Sequence, residues 1–215
     1  MRSHAKLPNV VASESQIDSE GVTSAEKIIS CGFSNQSVLL AMAQIALKNG
    51  KRDLIFVHTL LDQGSIRSFV SKRVVTALAL DTTPTNINVK GVGDTMAATV
   101  KGFCNLTLAS RFDEKFNCNF TALILAQLTS QLPPRKIPVA DWLHLENLKL
   151  ADPDYMKPKK LDCILGADAY AHIILSGIQT GPSASPMAQN TRLGWVIMGS
   201  ACPANHDCLD TTTGL

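Results

Sequence analysis

The sequence predicts a mainly β domain with one or two short helices, and three observations carry that expectation. Apolar runs of strand length recur along the chain, at residues 54–61, 116–125 and 193–198. Turn residues punctuate the chain between runs, with Asn49-Gly50 ahead of the first and Gly91-Val92-Gly93 further on, as strands joined by hairpins require. Prolines crowd residues 129–160, where Pro133, Pro134, Pro138, Pro153 and Pro158 exclude a continuous helix or a central strand. Strands therefore outnumber helices, which suits a small closed β barrel.

Residues 1–35 are polar and Ser-rich with little periodicity, so they read as a flexible lead-in to a domain over 36–200. Residues 37–47 admit a helix on composition, but Asn49-Gly50 and the apolar run after it favour a β-hairpin. Residues 68–80 place Phe69, Val70, Val74, Ala77 and Leu78 at helical spacing and turn Lys72 and Arg73 to solvent. Such a basic pair reads as a solvated face rather than a phosphate site. Residues 87–89 and 97–108 flank Gly91 and Gly93 as a second hairpin, and 116–125 is a further strand. In the Pro-rich insertion, 129–160, Asp141 is placed to cap a short helical turn carrying Trp142, Leu145 and Leu148. Residues 169–175 again have helical spacing, 193–198 form a final strand, and 201–215 are a polar tail. No internal repeat is visible.

At 215 residues and 45% hydrophobic content, the chain can bury one sizeable core. Its formal charge of +2 gives no electrostatic argument for a nucleic-acid partner. The six cysteines include no C-x-x-C pair, so they read as reduced intracellular thiols. Cys202, His206 and Cys208 match no common zinc spacing, and no metal or other cofactor is expected. The opening Met1-Arg2-Ser3-His4 leads into polar sequence without a signal peptide's apolar core, and no stretch approaches the ~20 apolar residues of a membrane helix. The expectation is a soluble protein, intracellular and cytoplasmic, without a membrane partner.

Chemistry enters at Asp62-Gln63-Gly64-Ser65, where an apolar strand delivers a carboxylate into a glycine turn. Gly64 is free to adopt backbone angles that a Cβ forbids, which would project Asp62 and leave nearby N–H groups to hold a charged oxygen. Acid–base work on water needs a carboxylate placed in this way. Taken alone, the turn reads as an ordinary Asp-rich strand end, as most such turns are.

A second run, Leu161-Asp162-Cys163-Ile164-Leu165-Gly166-Ala167-Asp168, also ends in glycine before a helical pattern. Together the two resemble the retroviral-type aspartic peptidases, the retropepsins. Their signature is apolar-apolar-Asp-Ser/Thr-Gly, followed later by apolar-apolar-Gly at a helix start. Leu60-Leu61-Asp62-Gln63-Gly64 matches the first element except at Gln63, and Ile164-Leu165-Gly166 matches the second. Gly91, Val92 and Gly93 lie where that family carries its substrate-covering flap. Ser68-Phe69-Val70, Leu150-Ala151-Asp152-Pro153 and residues 188–197 look further like the peptidase region of BEL/Pao-type retrotransposon polyproteins. The resemblance spans about residues 38–199.

It implies a retropepsin-like acid-protease barrel, catalysis by Asp62 and an active-site loop of Gln63, Gly64 and Ser65. It also implies Ile164, Leu165 and Gly166 as the supporting motif, and a peptide or polyprotein substrate. Acid peptidases use two aspartates that share a proton. The chain carries one such motif, so a homodimer must supply the second Asp62 by symmetry. Asp162 and Asp168 occupy positions the family uses for its supporting helix.

Gln63 departs from the family, whose Ser or Thr hydroxyl bonds across the dyad. Ser65 is placed to bond the aspartate or nearby backbone. Gln63 motivates an alternative, a catalytically degenerate retropepsin fold that binds peptides or dimerises. A nucleic-acid module lacks a basic-aromatic surface. Gly91-Val92-Gly93 lacks the later glycine of a dinucleotide loop, Ser183 and Ser185 sit on no nucleophile elbow, and five scattered histidines give no metal spacing.

Overall fold

Alternating burial along several strands shows which face turns inward. The computed structural model describes residues 37–49, 53–138 and 142–201. β1 (Ser37–Leu39) is followed by β2 (Met42–Lys48) and β3 (Leu54–Leu61), which form the expected antiparallel hairpin with Lys48 opposite Leu54. On β3, Val57, Thr59 and Leu61 are buried while Leu54 and Phe56 face outward. This is the period of two that a half-buried strand imposes.

Next come β4 (Ser68–Ser71), α1 (Lys72–Ala77), β5 (Thr83–Lys90), β6 (Met96–Ala109) and β7 (Asn117–Leu125). The short β8 (Gln131–Leu132) and β9 (Lys159–Lys160) precede β10 (Cys163–Leu165), α2 (Ala167–Tyr170), β11 (Ile174–Gln179), β12 (Met187–Thr191) and β13 (Gly194–Ala201). The largest sheet runs β2-β3-β10-β4-β7-β6-β5, and β6 pairs again with β2 through Leu108 opposite Leu47. That second pairing closes β2, β3, β10, β4, β7 and β6 into a ring, with β5 on its flank. β6 serves three neighbours because it is 14 residues long. Inside the ring Ile45, Leu47, Val57, Val70, Leu106, Leu108, Phe120, Ala122 and Leu165 form the main core. The mainly β expectation holds.

A four-stranded sheet, β1-β13-β12-β11, lies outside the ring. The Pro-rich insertion packs on it, bringing Ile137, Leu145 and Tyr155 against Leu39, Ala188, Ile197 and Ala201. Its neck is closed by β8 and β9, with Gln131 opposite Lys160. Ala151 then links ring and sheet, accepting from the Gln44 N–H at 2.9 Å and donating to the Trp195 carbonyl at 2.8 Å.

Two helical expectations are corrected. Residues 68–71 are strand β4, and the helix of that segment is only Lys72–Ala77. Phe69 and Val70 fit a helical stripe, but β4 lies between β10 and β7, where ladder bonds and burial on both faces outweigh local spacing. Similarly, α2 covers only Ala167–Tyr170, and Ile174 and Leu175 belong to β11. In the insertion a 3-10 turn spans Leu143–Leu145, while Asp141 lies outside the described residues. So do the lead-in and the tail from residue 202 on, with Cys31, Cys202, His206 and Cys208, while Ala201, expected in the tail, ends β13 and is buried.

Candidate active site

Asp62 emerges at the end of β3 under the two strands that flank it. Leu61 donates its N–H to the Ala41 carbonyl at 2.8 Å, and Asp62 donates its own to Leu165 at 2.9 Å. Because β10 runs parallel to β3, with Leu165 opposite Leu61, both apolar runs end at one place. Sequence motifs separated by about a hundred positions thus meet through a single parallel pairing. Ala167 N–H donates to the Ser65 carbonyl at 2.8 Å and joins the Asp62 loop to the start of α2.

The half-buried Asp62 carboxylate is asymmetric. Its Oδ1 accepts the Gly64 N–H at 3.0 Å, while Oδ2 has no hydrogen bond among the described residues. The expected reason for glycine at position 64 is corrected here. Its φ is not in the left-handed range, and a Cβ there would instead sit 3.3 Å from Asp62 Oδ1. Close approach to the carboxylate, rather than an unusual angle, is what a side chain would disturb. Ser65 takes the backbone option, its hydroxyl donating to the Arg67 carbonyl at 2.8 Å.

The supporting motif is tighter still. Gly166 has ordinary extended angles, yet a Cβ on it would fall 2.5 Å from the Arg67 carbonyl oxygen and 2.8 Å from that of Ser65. Its N–H donates to Ser68 Oγ at 3.1 Å, and that hydroxyl donates to Asp168 Oδ1 at 2.7 Å. Asp168 is thus a brace on the loop from the first turn of α2. Gln63 is exposed, and burial pushes the nearby Tyr170 phenol up against an opposing interaction with the Gln63 side chain.

Arg73 overturns the expectation of a basic pair that only faces solvent. Its Nε and Nη2 donate to the buried Asp162 carboxylate at 2.9 and 2.5 Å, and Ser71 Oγ adds a third bond at 2.7 Å. Burial raises the Asp162 pKa, but the Arg73 and Ser71 bonds and the Arg73 charge outweigh it and hold the group below its usual value. On β3, His58 Nδ1 lies 3.0 Å from Oδ2 of buried Asp152, fastening the insertion to the ring. Burial again raises Asp152, and the His58 bond, the Asp154 N–H and the His58 and Lys159 charges lower it overall.

Both carboxyls are depressed in the folded state, so their contribution is complete above the unfolded carboxylate value near 4. It is lost as pH falls through their folded values. Unfolding midpoints in urea should therefore fall steeply below about pH 4, and Asp162→Asn should flatten that acid limb. An unchanged limb would remove Asp162 as its source.

The expected flap residues occupy the β5–β6 connection. Gly91 N–H donates to the Thr95 carbonyl at 2.8 Å around a 3-10 turn at Val92–Asp94, and Gly93 has φ +75° with open space around it. Val89 at the base of this hairpin packs against the Phe69, Val100 and Leu123 cluster, as Ile164 does. The hairpin and the supporting motif thus share apolar neighbours.

Other chemistry finds little support. Cys104, Cys118 and Cys163 are buried free thiols, and burial pushes the Cys104 thiol up to about 11. A thiol so raised is a poor nucleophile at neutral pH. Among the described residues, no three His, Cys, Asp or Glu side chains gather for a metal ion, and no helix is long and apolar enough to cross a membrane. Comparisons with protein-family models, curated proteins and solved structures return no match for this chain.

Proposed function

We propose that the chain is one half of a retropepsin-like aspartic endopeptidase that processes a retroelement polyprotein inside the cell. One observation carries the reading: Asp62 ends a half-buried strand in a braced glycine turn, with Oδ1 held and Oδ2 unbonded among the described residues. Two copies related by a two-fold would supply the carboxylate pair. The ionised member takes a proton from water, and that water's oxygen attacks the peptide carbonyl. The protonated member donates to the carbonyl oxygen, giving a tetrahedral intermediate that expels the amine once its nitrogen is protonated.

An extended peptide suits the surrounding strands, since backbone bonding gives affinity and alternate side-chain pockets give selectivity. The β5–β6 hairpin is the flap in this reading. Gly93→Val should slow turnover, because a β-branched residue strains at φ +75°, whereas Gly91 at φ −98° should tolerate the same change. Equal kinetics for the two variants and the parent would remove the flap assignment.

The direct test incubates purified protein with a peptide library at mildly acidic pH over a dilution series. Cleavage whose specific activity falls as the dimer dissociates is the expected result. Activity that persists unchanged in a monomer would sink the dyad. Gln63 favours a second reading, a degenerate fold that binds peptides or dimerises without cleaving them. Binding without any cleavage would select it.

A further inference from the structure

A cavity of about 510 Å³ lies where the turn before β7, the chain after α2 and the β12–β13 turn meet. None of its lining residues belongs to the Asp62 loop, the supporting motif or the β5–β6 hairpin. Two cations, Lys115 and Arg192, line it with one acid, Asp113. Exposed cations are ordinarily just solvated, so their charge alone argues nothing. How the donors around them are held is the informative part.

Arg192 is fixed in place by the protein itself. Its N–H donates to the Ile173 carbonyl at 2.8 Å, and its own carbonyl accepts from Ser110 Oγ at 2.5 Å. The guanidinium carbon sits 5.1 Å from the centroid of the Phe116 ring, which supports the planar group from one face. Its acidic neighbour Asp113 stands 3.7 Å away, beyond hydrogen-bond reach. Asp113 is itself engaged, with Oδ1 accepting the Lys115 N–H at 3.1 Å. The guanidinium fork therefore keeps its donors to give.

Strand alternation supplies a second group of donors. Asn117 and Asn119 share the exposed face of β7, with Cys118 buried between them. Each amide oxygen is already taken, by Lys48 Nζ at 3.3 Å and by Thr107 Oγ1 at 2.8 Å. Both Nδ2 groups are left as donors without partners among the described residues. Lys115 Nζ and the exposed His172 ring are likewise unpartnered among the described residues. Glu114, the nearest acid in sequence, lines a separate cavity.

We propose that this cavity binds a phosphate group. A phosphate monoester presents three strong acceptor oxygens and up to two negative charges near neutral pH. Lys115 and Arg192 match that charge, and the guanidinium fork matches the spacing of two phosphate oxygens. The asparagine Nδ2 groups and His172 reach the cavity from other segments and serve the remaining oxygen. A carboxylate has two oxygens in one plane and leaves part of this donor set unmet. The proposal does not rest on the peptidase reading, with which it shares no residue.

Isothermal titration of the full chain at pH 7 with inorganic phosphate, glycerol phosphate and acetate tests it. One site per chain for a phosphate probe is expected, with acetate at least about 10-fold weaker. Tighter binding of inorganic phosphate assigns the free ion, and tighter binding of glycerol phosphate assigns a monoester. Arg192→Lys keeps the charge and the backbone bonds but loses the fork, and should weaken binding roughly 10-fold. Lys115→Gln alters only an exposed side chain, so it should weaken binding while leaving the melting temperature at the parent value. Asp113→Asn keeps an oxygen for the Lys115 N–H and removes the acid beside Arg192, so binding should tighten. The proposal is overturned if neither phosphate probe binds at millimolar concentration, or if acetate binds as tightly. It is equally overturned if Arg192→Lys and Lys115→Gln both keep the parent affinity, or if Asp113→Asn binds no tighter than the parent.

Discussion

Asp62→Asn should lower the cleavage rate by at least about 10³-fold while leaving fold and assembly intact. The change is nearly isosteric, and the amide oxygen can still accept the Gly64 N–H that now holds Oδ1 at 3.0 Å. The strand end keeps its bond from the Asp62 N–H to Leu165, since backbone atoms are untouched. What disappears is the second carboxylate oxygen, which in the proposed mechanism accepts the proton of the attacking water. An amide nitrogen in its place has no lone pair for that proton, and two amides across a two-fold cannot share one acid proton. Turnover, melting temperature and sedimentation should be measured on the same preparation. An Asn variant that cleaves at the parent rate would withdraw Asp62 from the chemistry.

Gly166→Ala should cost about 3 kcal/mol or more, the upper range for forcing one methyl into a packed site. The added Cβ would meet the backbone oxygens of Arg67 and Ser65 at 2.5 and 2.8 Å, and backbone cannot swing aside as a side-chain tip can. Relief requires the Asp62 loop to move off α2, breaking the Ala167-to-Ser65 bond and the Gly166-to-Ser68 bond. For a domain of this size the melting temperature should drop by roughly 6–12 °C. Cleavage should fall further than stability alone accounts for, because the displaced loop carries Asp62. If the alanine variant melts within about 2 °C of the parent, the close approach is not a constraint on the loop.

Much of this architecture is legible in local sequence. The β2–β3 hairpin follows from an Asn49-Gly50 turn between two apolar runs, and β7 and β13 follow from similar runs. The Asp62 turn and Ile164-Leu165-Gly166 were recognisable because a strand end and a glycine are local features. β4 escapes a local reading because Phe69, Val70, Val74 and Leu78 satisfy a helical period, and a short buried apolar run does not reveal its own period. The partners of Arg73, His58 and Ser68 were hidden for a different reason. Asp162, Asp152 and Asp168 lie 89, 94 and 100 positions away, and no local pattern records such pairings.

Local sequence is enough for the strand-rich class, the hairpins, the single Asp62 turn and hence the count of one such motif in these 215 residues. These depend on alternation, on turn chemistry and on composition, all of which act over a few residues. Long-range packing returns β6 to β2 to close the ring and sets β10 parallel to β3, which brings Gly166 beneath the Asp62 loop. It also decided why two glycines are there: Gly64 for its approach to a carboxylate oxygen, and Gly166 for its approach to backbone. Neither reason is a property of glycine's own torsion angles. Both arise from atoms brought close by packing, so they exist only once the chain has closed on itself.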